Sequence, residues 1–105
     1  MESSRALKRL IRKLTVETLW IYIVRLLMGL GEAKAYDIKK KLYEVFGIKV
    51  PAITVYTVVY RMNREGLLEA VKGDGETRYR LTDKGISEFS KAVELLEDIV
   101  LKLKG

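Results

Sequence analysis

Between Pro51 and Glu65 the chain carries Thr54, Thr57, Tyr60, Arg61 and Arg64. On a helix these polar residues fall opposite the apolar positions Val55, Val58, Val59 and Met62. Hydroxyls and guanidinium groups gathered on one helix face can donate to phosphate oxygens and to base edges. Arginine is the best base reader among them, because its planar fork matches the two acceptors of guanine. A second cationic set, Lys72, Arg78 and Arg80, flanks the Gly73–Glu76 segment. Arg78 and Arg80 alternate with Tyr79 and Leu81, so on a strand both guanidinium groups share one face. Lys39, Lys40 and Lys41 point in three directions on a helix, and Lys40, nearly opposite Ile38, is the most exposed. Lys49 adds a cation before Pro51.

This is the chemistry of binding rather than of bond making. The 105 residues contain no His and no Cys, and 20 Lys and Arg outweigh 14 Asp and Glu to give a net charge of +6. Disulfides, thiolate or imidazole zinc sites, a Cys nucleophile and a His general base are thereby excluded. Carboxylate chemistry survives on composition alone. However, no glycine-rich phosphate loop is present, and Asp74 and Glu76 sit at a hairpin tip, a poor place for a water-excluding pocket. The expectation is a protein that is not an enzyme and needs no metal or cofactor.

The elements that must position these residues can be read in order. Leu7, Leu10, Ile11 and Leu14 form one apolar stripe on a basic helix over Ser4–Leu14. Thr15 suits an N-cap for a second helix reaching about Met28, where Gly29 and Gly31 end it, although the two helices can also be continuous. A third helix, Ala35–Phe46, buries Ile38, Leu42, Val45 and Phe46 and stops at Gly47. Pro51 suits the first turn of a fourth helix, which ends at Gly66. Leu67–Lys72 and Thr77–Leu81 alternate around an Asp-Gly pair, a hairpin signal. Thr82 then caps a long final helix. Along it Ile86, Phe89, Val93, Leu96, Val100 and Leu103 recur every three or four residues, a heptad seam flanked by Ala92, Leu95 and Ile99. The fold class is therefore mainly α with a small β-hairpin (α+β). The arrangement is a winged helix-turn-helix with 51–65 as recognition helix, 67–81 as wing and a long C-terminal dimerisation helix.

Three motifs in this order resemble one family. Tyr36-Asp37-Ile38-Lys39-Lys40-Lys41-Leu42 is similar to the second-helix motif of PadR-type transcriptional regulators. Thr54-Val55-Tyr56, Arg61-Met62 and Glu65-Gly66-Leu67-Leu68 resemble their recognition helix and its exit. Arg78-Tyr79-Arg80-Leu81-Thr82-Asp83-Lys84-Gly85 resembles their wing strand and the start of the last helix. The resemblance implies a dimeric DNA-binding repressor, sometimes released by a small phenolic or drug-like effector. It also adds Tyr36 and Tyr56 to the DNA-contacting set, Tyr56 through its hydroxyl to a phosphate. From the residues alone, Tyr56 can equally pack against the Tyr36–Phe46 helix.

Charge and apolar patterning divide the labour. Residues 1–14 carry +4 and residues 15–66 carry +3, whereas 67–85 is neutral and 86–105 carries −1. The division expected is a basic amphipathic extension (1–14), a DNA-binding winged helix (15–85) and a dimerisation helix (86–105). In the last of these, Ile86 and Phe89 turn back onto the core and Val93 to Leu103 reach a second copy. The stripe of the first helix can join the dimer while its basic faces meet phosphates, or it can meet a membrane or another protein. Double-stranded DNA, with a palindromic site matching the dimer, is the expected partner. A winged helix serving protein–protein assembly is the alternative, on the strength of Ile53 and the valines of 51–65. The run Leu19–Leu30 contains Arg25 and Gly29 and is too short for the roughly 20 apolar residues of a membrane span. With no signal-like segment, a cytoplasmic protein without a membrane partner is expected. The absence of Gln and the single Asn63 lean toward a thermophilic source.

Overall fold

The computed structural model describes residues 3–73 and 75–105. Its elements are α1 (Arg5–Leu14), a 3₁₀ turn (Val16–Thr18), α2 (Leu19–Leu30), β1 (Glu32–Lys34), α3 (Ala35–Phe46), α4 (Ala52–Arg64), β2 (Leu68–Val71), β3 (Arg78–Leu81) and α5 (Asp83–Lys104). The winged helix-turn-helix with a long last helix is present as the sequence implies. Asp74, the acid of the expected hairpin turn, lies outside the described residues, as do Met1 and Glu2.

α1 starts where Ser4 Oγ accepts from the Leu7 amide at 3.1 Å, and Arg12 and Lys13 suit its C-terminal dipole. Thr15 does not cap the next helix. Its hydroxyl donates backward to the Ile11 carbonyl at 2.7 Å, and its φ of −116° and ψ of −75° lack the extended backbone of an N-cap. The chain therefore turns through the 3₁₀ segment, and α1 and α2 are separate. Glu17 anchors this junction by accepting from Lys13 Nζ at 2.9 Å. α2 runs two residues beyond the expected Met28, carrying Gly29 inside the helix.

α2 is the central element. Leu19, Ile23 and Leu27 are buried against Ile38 and Leu42 of α3, Val55, Val59 and Met62 of α4, and Leu68 of β2. α3 has the expected bounds, and Gly47 ends it in the left-handed region at φ +68°. Val45 and Phe46, expected on the buried face, are exposed, Val45 to 58%. The extended residues Ile48 and Val50 fill the core there instead. Phe46 lies edge-on to Tyr22, with ring centroids 5.1 Å apart. Pro51 stands one position before the helix, as the N-cap residue of α4.

The hairpin strands pair antiparallel, Leu68 with Leu81 and Val71 with Arg78. A third strand, β1, pairs with β3 on its other side through Glu32–Arg80 and Lys34–Arg78, giving the order β1-β3-β2. Three residues are too few to show alternation, which is why β1 is invisible in the sequence.

The start of α5 is locked to the exit of α4. Thr82 Oγ1 accepts from the Gly85 amide at 3.0 Å and donates to the Gly66 carbonyl at 2.5 Å. Lys84 Nζ donates to the Glu65 carbonyl at 2.7 Å. Gly85 is buried, and a Cβ built there would lie 2.2 Å from the Leu67 carbonyl oxygen. Because Gly85 faces the body, the helix turns Phe89 inward. Ile86, 100° round from Gly85, is exposed rather than packed on the core as expected. Gly85→Ala must displace backbone, so we expect a loss of stability of about 1–3 kcal/mol, measured as a lowered denaturation midpoint with unchanged m-value.

Candidate nucleic-acid interface

α4 buries Val55, Val59 and Met62 and presents the opposite side to solvent. The outermost line is Ile53, Thr57, Tyr60 and Arg64, spaced four, three and four residues apart. Ile53, 70% exposed, is more open than any other residue of this line with a large apolar side chain. In the sequence it is no DNA-contact candidate and supports only the protein-assembly alternative. Its shared line with Thr57 and Tyr60 is the signal that identifies it.

The polar groups on this face are partly committed. Thr57 Oγ1 donates to the Ile53 carbonyl at 2.8 Å, so its proton serves the helix and its oxygen is left to accept. The Arg64 guanidinium lies over the Tyr60 ring, 5.8 Å from the centroid, a cation–π contact that restrains both long side chains. Tyr56 is exposed on one flank of the line. Thr54 and Arg61 lie on the other flank, in a groove with Val16, Glu17 and Val58. Arg61 also borders a second groove, which Glu17, Glu65, Glu88, Lys84 and Trp20 line. Trp20 is half-buried at the rim of the core.

The remaining cations gather around α3 and the wing. Lys40 and Lys49 line one groove beside Tyr43. Lys40 and Arg78 line another, beside Glu32 and Asp37. Tyr36, Lys72, Arg78 and Arg80 are exposed. Arg78 and Arg80 share the outer face of β3, as their alternation implies, but differ in partners. Arg80 is bonded to Glu69, directly opposite on β2, through both Nε and a terminal nitrogen. Arg78 has no ion pair among the described residues. The pair at Arg80 is about half exposed, so it contributes roughly 0–1 kcal/mol and does not prevent exchange for another anion.

Among the described residues, no group of three or more metal-ligating side chains occurs, and no helix is long and apolar enough to cross a membrane. The surface therefore offers hydrogen-bond donors, cations and one apolar side chain on a convex helix. Such a convex helix suits the groove of a duplex better than it suits a small molecule.

No family model matches the chain, and no curated protein matches it. Solved structures do. A PadR-family transcriptional regulator from Eggerthella lenta superposes with a TM-score of 0.76 at 27% identity, over 93% of this chain and 91% of that one. A winged-helix DNA-binding protein from STIV gives 0.70 at 17% identity, over 82% and 94%. Bacillus subtilis PadR in complex with operator DNA gives 0.61 at 24% identity, over 71% of this chain and 46% of that one. The chain is thus similar in fold, along nearly its whole length, to a PadR-family regulator, as its three motifs imply. These neighbours are regulators or DNA-binding proteins, not enzymes.

The Lys13 hydrogen bond holds the Glu17 carboxyl below its ordinary value of 4.5, helped by the charges of Lys13, Arg12 and Arg9. A carboxyl with a lowered folded pKa stabilises its contacts above the ordinary value and loses them as pH falls through the lowered one. An NMR titration of the carboxyl carbons should place Glu17 below 4.5, and Lys13→Ala should bring it back toward that value.

Proposed function

We propose that this protein is a sequence-specific, double-stranded DNA-binding transcriptional regulator that acts as a homodimeric repressor in the cytoplasm. The observation that carries this reading is the exposed outer line of α4, Ile53, Thr57, Tyr60 and Arg64, beside a wing whose β3 turns Arg78 and Arg80 outward. α4 lies in the major groove. Arg64 and Arg61 donate to guanine or phosphate, Tyr60 and the threonines meet base edges, and Ile53 meets a thymine methyl. Tyr36, Lys40, Lys49, Tyr56, Lys72, Arg78 and Arg80 hold the backbone and set the register without reading sequence. The reading is supported by the similar fold of Bacillus subtilis PadR, a protein solved in complex with operator DNA.

Residues 1–14 are an extension, 15–85 the DNA-binding unit and 86–105 the dimerisation helix. α5 is 22 residues long, about 33 Å, and its second half carries exposed apolar residues to its end. A two-fold pair of such helices places two recognition helices on successive major-groove faces. This calls for palindromic half-sites about 10 bp, one turn, apart. Repression follows from occupation of the promoter. A winged helix used for protein assembly is the second reading, favoured by Ile53 alone on the recognition face.

Selection from a random duplex pool should recover a palindrome, with affinity falling steeply as salt rises. Sequence-blind or salt-insensitive binding would sink the DNA reading in favour of assembly. Arg64→Ala should cost about 1–3 kcal/mol and relax one position of the site. Arg78→Ala should weaken all sequences alike and flatten the salt slope by about one. Fluorescence anisotropy over a salt series measures both.

A further inference from the structure

The first turns of α4 carry no charge. From Val50 to Tyr60 the chain has neither an acid nor a base, and Arg61 and Arg64 come only in the last turn of the helix. Amides are missing there as well. The chain has no Gln, and its single Asn, Asn63, is the residue before the last of α4. Yet a recognition helix meets base edges chiefly with its N-terminal residues. The usual readers in that place are Arg for guanine and Asn or Gln for adenine. Here the place falls to Ile53 and Thr57, one turn apart on the outer line.

Each of the two can offer one thing. Ile53 is the second residue of α4, is 70% exposed and presents only carbon. Among the groups that distinguish the bases in the major groove, the C5 methyl of thymine is the apolar one. Thr57 is exposed, but its hydroxyl proton is held by the Ile53 carbonyl at 2.8 Å. Its oxygen therefore serves as an acceptor only. An acceptor pairs with the amino groups of adenine and cytosine and repels the N7 and O6 of guanine and the O4 of thymine. The two residues stand about 6 Å apart along the helix axis. At about 3.4 Å per base step, they reach base pairs one or two steps apart.

We infer that Ile53 and Thr57 are the specificity pair of this interface and that they make DNA binding respond to base methylation. This rests on the DNA reading proposed above and deepens it. Ile53 selects a pyrimidine that carries a C5 methyl, which is thymine or 5-methylcytosine. Thr57 selects an adenine or cytosine whose amino group is unmodified. In a Watson–Crick pair one amino hydrogen points to the partner base and the other to the major groove. A methyl group on that nitrogen takes the groove side when pairing is kept. N6-methyladenine and N4-methylcytosine thus lose the donor that Thr57 needs. Methylation at pyrimidine C5 strengthens binding at the Ile53 position, and methylation at the amino nitrogen weakens it at the Thr57 position. Backbone contacts from the wing feel neither change.

Fluorescence anisotropy with the duplex that the wild-type chain selects from a random pool tests this. Deoxyuridine replaces each thymine of a half-site in turn, which removes one methyl group and no hydrogen-bonding group. At one position affinity should fall about fourfold, the worth of one such group taken out of water. Cytosine placed there should bind more tightly when 5-methylated. Ile53→Ala should bind thymine and deoxyuridine duplexes alike, whereas Ile53→Val should keep a preference. Methylating the amino nitrogen of each adenine or cytosine in turn should cost about tenfold at one position. Thr57→Val should lose that sensitivity and Thr57→Ser should keep it. Both side chains are exposed, so these variants leave the core intact. Equal affinity for every deoxyuridine duplex, or a methyl preference that survives Ile53→Ala, overturns the role of Ile53 and leaves the DNA reading standing. Amino methylation without effect, or with an effect that survives Thr57→Val, does the same for Thr57. A wild-type chain that selects no sequence overturns both readings.

Discussion

The contact between Gly85 and the Leu67 carbonyl sets the geometry of this molecule. A Cβ at position 85 would stand 2.2 Å from that oxygen, so the first turn of α5 can approach the exit of α4 only without a side chain there. The approach lets Thr82 serve three bonds at once. Its amide donates to Leu67, its hydroxyl donates to Gly66, and its oxygen accepts from Gly85. Lys84 closes the set by satisfying Glu65, one of the carbonyls left open at the end of α4. Recognition helix, wing and last helix therefore leave one node, and their relative directions are set before any partner binds. The dimer proposed above draws on that rigidity, because in it the spacing between half-sites is set by the angle at which α5 departs.

Around this node the core is small and nearly filled by three helices. Leu19, Ile23 and Leu27 of α2 meet α3, α4 and β2, and no charged or polar residue is buried among the described residues. Each of the five helices also carries large apolar side chains outside that core. Besides those at the ends of α2 and α3 and the tyrosines, they lie along α1, along α5 and at Ile53 on α4. Core packing accounts for none of the three, and each sits on an element whose opposite or adjacent surface is charged.

Much of this arrangement was legible in the residues. α3, the α4 stripe Val55, Val59 and Met62, the alternation of Arg78 and Arg80 with Tyr79 and Leu81, and the Thr82 cap all obey local rules of period and capping. They appear as those rules require. The three motifs shared with PadR-type regulators pointed to the fold that the solved relatives bear out. The illegible parts share a cause, which is competition between partners or positions that local period does not rank. Thr15 looks like a cap for α2, but its hydroxyl is taken by Ile11 behind it. Val45 and Phe46 keep the right spacing for burial, but Ile48 and Val50 occupy the space. β1 exists only because β3 offers an open edge to three residues.

For the candidate interface the same division holds. The sequence by itself determined which groups are available, namely hydroxyls, guanidinium groups and lysines without His or Cys, and on which side of each helix or strand they fall. Side-chain direction depends only on the local backbone period. The tertiary structure alone decided what each group has left to offer. It ties Arg80 to Glu69 and places Arg64 on Tyr60. It sets Arg61 on a groove that Glu17 and Glu65 also line, and Lys40 on two grooves, one lined by Lys49 and one by Arg78. Those outcomes depend on distances between residues far apart in the chain, and only packing sets such distances.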